Sequence, residues 1–233
     1  MLSLRRLNTF YGRAHILFDL DLEAGEGEVV VLLGRNGAGK STTLKTIIGL
    51  AHAASGEIEF RGRAIERLMP YEISRLGIGY VPEERRIFTD LTVMENLEVG
   101  RQPARPELAP WTPARLFELF PNLGEMRGRR GGMMSGGEQQ MLTIARTLMG
   151  NPLLILLDEP SEGLAPVIVQ EMARTIRSLK AEGLTVVLSE QNLRFAERVS
   201  DRAYIIEKGR IRYRGTMDEL AADEAARAAY LTI

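Results

Sequence analysis

A glycine-rich stretch near the N-terminus has the residue types and spacing of a phosphate-binding loop. It reads Gly34-Arg35-Asn36-Gly37-Ala38-Gly39-Lys40-Ser41 and matches the pattern G-x-x-x-x-G-K-[ST], or Walker A. Glycines let the backbone wrap around phosphates with its N–H groups pointing inward, and a following helix offers its positive end to the same anion. We expect Lys40 to reach the β- and γ-phosphates, Ser41 to ligate Mg²⁺, and Thr42 to contact the α-phosphate region.

Two acidic residues follow an apolar strand later in the chain. Leu153–Leu157 is entirely apolar and continues into Asp158 and Glu159. In a parallel sheet, the carboxyl end of this strand lies where ligands bind, beside the end of the phosphate-loop strand. Asp158 is expected to hold Mg²⁺, directly or through water, and Glu159 to act as general base on the attacking water. A solvated acidic turn is the alternative, and the phosphate loop makes the catalytic interpretation the preferred one.

The chemistry needs a scaffold, which hydrophobic patterning predicts. An edge strand is predicted around Leu2, Leu4 and Leu7. Further strands are predicted at Ile16–Leu22, Glu28–Leu33, Glu57–Phe60, Gly77–Val81, Leu153–Leu157 and Leu184–Ser189, with a hairpin of Ala203–Glu207 and Arg210–Arg214. Helices are predicted at Lys40–Leu50, Val93–Gly100, Pro113–Phe120, Ser135–Gly150, Pro166–Ala181, Asn192–Val199 and Glu219–Leu231. Strands that alternate with helices indicate an α/β fold whose parallel sheet is covered on both faces.

The stretch 84–150 differs in character from the rest of the chain. It holds helical segments and a group of prolines at 103, 106, 110, 113 and 121. We interpret it as an inserted helical subdomain with a loose proline-rich segment at about 102–113.

Composition excludes several classes of function. The chain has 233 residues, a net charge of -1 and no cysteine. No overall positive field suggests nucleic acid, and disulfides and thiolate metal sites are excluded. The N-terminus has no apolar core of a signal peptide, and the apolar runs are too short for a membrane span. Work at a membrane would therefore require a partner that spans it.

A third motif lies between the phosphate loop and the acidic pair. Met134-Ser135-Gly136-Gly137-Glu138-Gln139-Gln140 resembles the LSGGQ-type signature of ATP-binding cassette (ABC) ATPases, with Met134 in place of leucine. The resemblance implies a P-loop NTPase (RecA-like) core with an N-terminal antiparallel β subdomain and an inserted α-helical subdomain. Within the single domain 1–233, the core would comprise 1–83 and 151–233, and the helical subdomain 84–150.

The same resemblance implies roles for further residues. In the family, the signature residues Ser135, Gly136, Gly137 and Glu138 would bind the ATP of a partner subunit in a head-to-tail dimer. Tyr11 resembles the aromatic residue that stacks on adenine, and Glu83 occupies the position of a glutamine that senses Mg²⁺ and water. Ser161–Pro166 resembles the D-loop, which contacts the opposite subunit.

Gln191 stands where most ABC ATPases carry a histidine that senses the γ-phosphate. A neutral amide can donate a hydrogen bond to phosphate but cannot carry a proton. Either hydrolysis is weakened, or Glu159 acts as the base while Gln191 only positions groups. We prefer the second interpretation because Glu159 is present.

Several segments are similar to one branch of the family, the LivF-type ATPase subunits of high-affinity branched-chain amino acid importers. They are 81–83, 85–88, 91–93, 135–140, 163–166, 190–192 and the closing 229–231. Glu84, Glu162 and Ser189 depart from that branch. The resemblance implies ATP and Mg²⁺ as cofactors, a second ATPase subunit (paralogue or self), two membrane permeases and, indirectly, a solute-binding protein. It places the chain peripherally on the cytoplasmic face of the inner membrane, with no nucleic-acid partner.

Other functions remain open from the sequence. The same cassette could serve the import of urea, amides or peptides, or lipopolysaccharide export. A non-transport ABC protein usually has long insertions or two fused cassettes, which this length does not accommodate. A non-hydrolysing structural module is the fourth alternative, and Gln191 motivates it.

Overall fold

The computed structural model describes residues 1–230, and within them the chain forms ten strands and ten α-helices. The strands are β1 (Leu2–Tyr11), β2 (Ala14–Ala24), β3 (Val29–Leu33), β4 (Ala53–Phe60), β5 (Arg63–Ala64), β6 (Ile78–Val81), β7 (Leu154–Asp158), β8 (Thr185–Glu190), β9 (Arg202–Glu207) and β10 (Arg210–Thr216). The helices are α1 (Lys40–Ile47), α2 (Pro70–Leu76), α3 (Val93–Gly100), α4 (Pro113–Leu119), α5 (Pro121–Glu125), α6 (Gly136–Leu148), α7 (Pro166–Ala181), α8 (Leu193–Val199), α9 (Met217–Ala222) and α10 (Glu224–Tyr230).

A mostly parallel sheet forms the centre of the molecule, with strand order β10-β9-β3-β8-β7-β6. Strands β3 and β7 are buried along their whole length, as expected for a parallel sheet covered on both faces. The parallel register sets Leu33 beside Glu190 and Asp158 beside Ser189. The carboxyl ends of β3, β8 and β7 therefore meet at one edge, as the sequence predicts.

A second, antiparallel sheet has the order β2-β1-β4-β5. The prediction of an edge strand around Leu2, Leu4 and Leu7 is wrong in its placement, because β1 pairs with β2 on one side and β4 on the other. These leucines are buried in a core that also contains Leu32 and Leu44. Strand β4 is longer than predicted because pairing with β1 extends it back to Ala53.

The helices of the 84–150 stretch form close to the predicted positions, and Ser135 is the N-cap of α6. The proline-rich segment is not loose, which corrects the prediction. The side chain of Asn151 accepts a hydrogen bond from Trp111 N (2.7 Å) and donates to Gln102 O (2.9 Å). Arg105 Nε donates to the carbonyl of Asn151 (2.7 Å), and its Nη2 to that of Arg75 (2.9 Å).

The division into core and helical subdomain stays a prediction.

The C-terminal region differs from the single predicted helix over Glu219–Leu231. The structure has two short helices, α9 and α10, separated at Asp223. The carboxylate of Asp223 accepts a hydrogen bond from Ala226 N (2.8 Å), which favours a new helix start over continuation. Leu231 lies outside the described residues. In residues 1–230, no helix has the length and apolar character that crossing a membrane requires.

Candidate functional site

The phosphate loop connects the end of β3 to the start of α1. Gly37 and Gly39 have φ angles of 76° and 113°, in the left-handed region that favours glycine. A β-carbon at Gly34 would lie 2.5 Å from the carbonyl oxygen of Ile206, so only glycine fits there. Lys40 Nζ lies inside the loop and donates hydrogen bonds to Gly34 O (2.8 Å) and Arg35 O (3.1 Å). The loop therefore presents a buried ammonium group within a backbone cradle.

Asp158 ends β7 directly beside the start of α1. Its Oδ1 accepts hydrogen bonds from Ser41 Oγ (2.9 Å) and Ser189 Oγ (2.7 Å), and its Oδ2 accepts one from the Tyr80 hydroxyl (3.1 Å). Burial, together with the charge of Asp158, raises the pKa of Tyr80 well above its usual value. Sequence reasoning predicted the proximity of Ser41 and Asp158. It gave Tyr80 no role and treated Ser189 only as a departure, because cross-strand neighbours depend on register.

Glu159 follows Asp158 with a left-handed backbone (φ 45°) and is nearly buried. Its Oε1 lies 3.0 Å from Lys40 Nζ, and its Oε2 accepts a hydrogen bond from Gln191 Nε2 (2.8 Å). Burial alone would raise the pKa of Glu159. Hydrogen bonds with Glu162, Gln191 and Lys40, together with the charge of Lys40, lower it below its ordinary value. The carboxylate is thus held ionised at the edge of the phosphate loop.

A second buried carboxylate, Glu190, fixes the segments on either side of this site. It ends β8, and its two oxygens accept hydrogen bonds from the backbone N–H groups of Ser161 (3.1 Å), Gln191 (3.2 Å) and Asn192 (3.3 Å). Burial raises the pKa of Glu190, against the effect of these bonds. Sequence reasoning missed this residue. The available signal was a carboxylate at the end of a strand with the apolar centre Val186–Leu188.

Two more acidic side chains lie near Glu159. The hydrogen bond with Glu159, followed by burial and the charges of Glu159 and Glu83, raises the pKa of Glu162 to about 7. Burial and the charges of Glu159, Asp158 and Glu84 also raise the pKa of Glu83, which follows β6. The site therefore brings several acidic side chains close to the ammonium group of Lys40.

The signature residues and Tyr11 lie apart from this cluster. Ser135 caps α6 and exchanges hydrogen bonds with Glu138, which is the capping box that the sequence pattern indicates. A β-carbon at Gly137 would lie 3.0 Å from the side chain of Ile168, so α6 and α7 approach closely there. Tyr11 ends β1 with half of its surface exposed. Among the described residues, no hydrogen bond or ion pair joins Tyr11 or Ser135 to the Lys40–Glu159 cluster.

A glycine in the β9–β10 turn buttresses the phosphate loop. Gly209 N donates to Ala38 O (2.8 Å), and Gly209 O accepts from Phe18 N (2.9 Å) in β2. A β-carbon on Gly209 would lie 1.9 Å from the carbonyl oxygen of Ile16. The turn therefore ties the phosphate loop to the strand that follows Tyr11, and only glycine permits this approach. Sequence reasoning assigned the hairpin but no such role.

A backbone cradle with an ammonium group can bind phosphates, and an ionised carboxylate beside it can accept a proton from water. Together with the parallel sheet and its loop-to-helix connection, this geometry defines a P-loop nucleoside triphosphatase. The family model of the ABC transporter family matches residues 17–162. The chain belongs to this family, whose ATP-binding domains hydrolyse ATP to power transport, and the predicted fold and ATPase activity are confirmed.

Two relatives and one solved structure show the range of the resemblance. The high-affinity branched-chain amino acid transport ATP-binding protein BraG of Pseudomonas aeruginosa is 46% identical over 99% of both chains. The lipopolysaccharide export system ATP-binding protein LptB of Haemophilus influenzae is 37% identical over 99% of this chain and 97% of its own. The dimeric structure of MJ0796, a bacterial ABC transporter cassette, superposes with a TM-score of 0.80 at 26% identity, covering 93% and 99% of the two chains. The predicted resemblance to the branched-chain amino acid branch is confirmed.

The Gly209 turn leads to a first prediction. Gly209→Ala should weaken ATP binding tenfold or more, because the added methyl group forces the turn away from Ala38. Each tenfold loss of affinity corresponds to about 1.4 kcal/mol of binding free energy. Titration of the purified protein with a fluorescent ATP analogue measures this affinity. Gly62→Ala is the matched control, since Gly62 has the same φ of 76° but no atom within 4 Å of a β-carbon. Equal affinities for the two variants would contradict a buttressing role for Gly209.

The pKa of Glu162 leads to a second prediction. An ordinary glutamate loses its proton near 4.5, whereas Glu162 in the folded chain retains it up to about 7. Folded protein therefore binds more protons than unfolded protein in this window, so the Glu162 contribution to stability falls as pH rises. Glu162→Gln, which cannot ionise, should gain stability relative to the parent protein between pH 5 and pH 8.

Urea unfolding at about pH 5 and about pH 8 measures this difference. Glu224→Gln, a carboxylate substitution on α10, serves as the control. A stability gap for Glu162→Gln that is the same at both pH values would show that Glu162 does not retain its proton.

Proposed function

We propose that this chain is the ATP-binding and ATP-hydrolysing subunit of an importer for branched-chain or related amino acids. The Lys40–Glu159–Gln191 cluster beside Ser41 and Asp158 supports the ATPase site. The substrate class rests on the 46% identity to BraG over nearly the full chain. In this proposal the chain sits at the cytoplasmic face of the inner membrane. Two permease subunits, and indirectly a solute-binding protein, complete the importer.

The nucleotide would lie along the phosphate loop. Backbone N–H groups of Gly34–Thr42 would bind the phosphates, and Lys40 would contact the β- and γ-phosphates. Tyr11 would stack on adenine, since its half-exposed side chain ends β1, which pairs with the strand β2 that Gly209 ties to the loop. The adenine base and the phosphates would then be bound by parts of the chain that are hydrogen-bonded to each other through the Gly209 turn.

The residues around Asp158 fit a magnesium ion. Mg²⁺ prefers oxygen ligands and is usually held by one or two carboxylates together with substrate phosphates. The Ser41 hydroxyl and the Asp158 carboxylate supply such oxygens 2.9 Å apart, and Glu83 would supply another from the loop after β6. When bound, the ion neutralises charge on the β- and γ-phosphates.

The ion pair between Lys40 and Glu159 explains how the nucleotide would activate its own hydrolysis. Lys40 Nζ contacts Glu159 and the carbonyls of the loop. Phosphates that enter the loop would compete for this ammonium group and free Glu159 to accept a proton from water. Gln191 already holds Oε2 of Glu159, which favours a positioning role for the amide over a loss of hydrolysis.

The site is incomplete within one chain. The N-terminus of α6 has the positive end of a helix, which suits a γ-phosphate, yet no hydrogen bond or ion pair among the described residues joins it to the Lys40–Glu159 cluster. In the proposed head-to-tail pair, Ser135–Glu138 of one subunit would cover the nucleotide of the other, and Ser161–Pro166 would line the contact. The likeness to a dimeric cassette supports this pairing. The partner in the working complex would be a second copy or a paralogue.

A groove next to Glu83 suits a membrane partner. It encloses about 350 Å³ and is lined by Ser74, Tyr80, Phe88, Val99 and Arg146, among others. Phe88 and Val99 are 46% and 53% exposed, so the groove presents two large apolar side chains to a partner. We assign this groove to a cytoplasmic segment of a permease, because the segment that follows Glu83 leads to Phe88 in the lining of the groove.

The ATPase proposal predicts the behaviour of Glu159→Gln. The amide cannot accept a proton, so turnover should fall by at least about 100-fold, as for loss of a general base. ATP binding should persist because Lys40 and the loop are retained. Phosphate release and equilibrium ATP binding measure the two properties separately. Turnover at the parent rate would remove Glu159 as the base.

The transport proposal predicts a separable effect of the groove. Val99→Asp should abolish uptake of labelled leucine by the complete importer because it places a charge in an apolar contact. The ATPase activity of the isolated subunit should be preserved. Leu50→Asp is the control for a charge elsewhere on the surface, since Leu50 is 55% exposed and does not line the groove. Uptake of leucine that survives Val99→Asp would contradict the docking assignment.

The same cells test the identity of the transported substrate. Compared with cells that carry the parent subunit, cells that lack its gene should lose leucine uptake and keep urea uptake unchanged. A defect in lipopolysaccharide transport instead would favour the function named for LptB, whose 37% identity keeps that alternative open.

A further inference from the structure

Arg85 reaches the first residue of the signature helix. A β-carbon at Gly136 would lie 2.6 Å from Arg85 Nη1 and 3.1 Å from its Cζ, so the guanidinium rests against the first residue of α6. The backbone of Arg85 is left-handed (φ 65°), and Thr143 Oγ1 donates a 2.7 Å hydrogen bond to its carbonyl. The side chain therefore runs back along α6, from the level of Thr143 to the helix N-terminus.

The charge of Arg85 has no counterpart at this position. Within residues 1–230, its guanidinium forms no hydrogen bond or ion pair, whereas the adjacent Arg86 pairs with Glu84 at 3.0 Å. The N-terminus of a helix is itself positive, so a cation there is unfavourable until an anion binds. The nearby carboxylate of Glu138 is already engaged by Ser135 N at 2.7 Å.

A buried amide on the same helix face is also unsatisfied. Gln140 lies one helical turn after Gly136 and about one turn before Thr143, on the same face of α6. It is 2% exposed, and neither its amide nitrogen nor its amide oxygen has a hydrogen-bond partner. Buried polar groups are normally paired, so this face has bonding capacity that the single chain does not use.

We propose that Arg85 is a phosphate-binding residue that acts across the subunit interface. In the closed pair, its guanidinium binds the γ-phosphate of the nucleotide held by the opposite subunit, beside the N–H groups of Gly136 and Gly137. This hydrogen bond is charge-assisted, and the γ-phosphate supplies the negative charge that the N-terminus of α6 and Arg85 both favour. This inference rests on the proposed head-to-tail pairing. It concerns the opposite nucleotide because no hydrogen bond or ion pair links Arg85 to Lys40 or Ser41 among the described residues.

The test compares pairing with nucleotide binding in a hydrolysis-deficient background. Purified Glu159→Gln protein is titrated with Mg-ATP, and pairing of two copies is followed by light scattering. Adding Arg85→Ala should raise the ATP concentration for half-maximal pairing at least about tenfold, the usual effect of losing a charge-assisted hydrogen bond. Arg86→Ala is the matched control and should leave pairing unchanged.

A second measurement separates the alternatives. The affinity of the unpaired chain for a fluorescent ATP analogue should be the same with and without Arg85→Ala. A parallel loss of this affinity would show that Arg85 acts on its own nucleotide and would overturn the proposal. Unchanged pairing would also overturn it.

Conservative replacement provides a further check on geometry. Arg85→Lys retains the charge and should recover part of the pairing, whereas Arg85→Gln should resemble Arg85→Ala. If Glu159→Gln protein with intact Arg85 forms no pairs when Mg-ATP is added, then both the proposed pairing of two copies and the role of Arg85 are wrong. If that protein forms pairs and Arg85→Ala does not change their formation, then only the role of Arg85 is wrong.

Discussion

The buried ion pair between Lys40 and Glu159 is the interaction on which the site depends. Both side chains are almost fully removed from solvent, at 2% and 5% exposure. Removing each charge from water costs several kcal/mol, which attraction alone repays only with good geometry and further hydrogen bonds. Lys40 obtains them from the carbonyls of Gly34 and Arg35, and Glu159 from Gln191. The pair therefore requires β3, β7 and β8 to end at the same level.

That level is set by the register of the parallel sheet. Asp158 stands beside Ser189 and Leu33 beside Glu190, so a shift of one residue would turn each of these side chains to the other face. The buried Glu190 adds a second restraint, because it holds the backbone of Ser161 and Gln191, which lie close to Glu159. The geometry of the candidate site is thus a consequence of strand pairing between segments far apart in sequence.

Much of this was predictable from local patterns. The phosphate loop, the acidic pair and the capping box are short motifs whose chemistry depends on neighbouring residues, and the apolar strands identify a parallel sheet. The central place of β1 was not predictable, since periodicity shows which face is buried and not how many neighbours a strand has. The anchoring of the proline-rich segment by Asn151 and Arg105 depends on partners that sequence spacing does not reveal. Tyr80 and Ser189 were missed as partners of Asp158 for the same reason.

The turn at Gly209 has a further consequence for the geometry of the candidate site. It contacts the phosphate loop through Ala38 and strand β2 through Phe18, so two backbone hydrogen bonds join the loop to the antiparallel sheet. Tyr11 ends β1, the strand that pairs with β2. With adenine placed against Tyr11, as proposed, the turn would set the distance between the base and the phosphates without contacting the nucleotide.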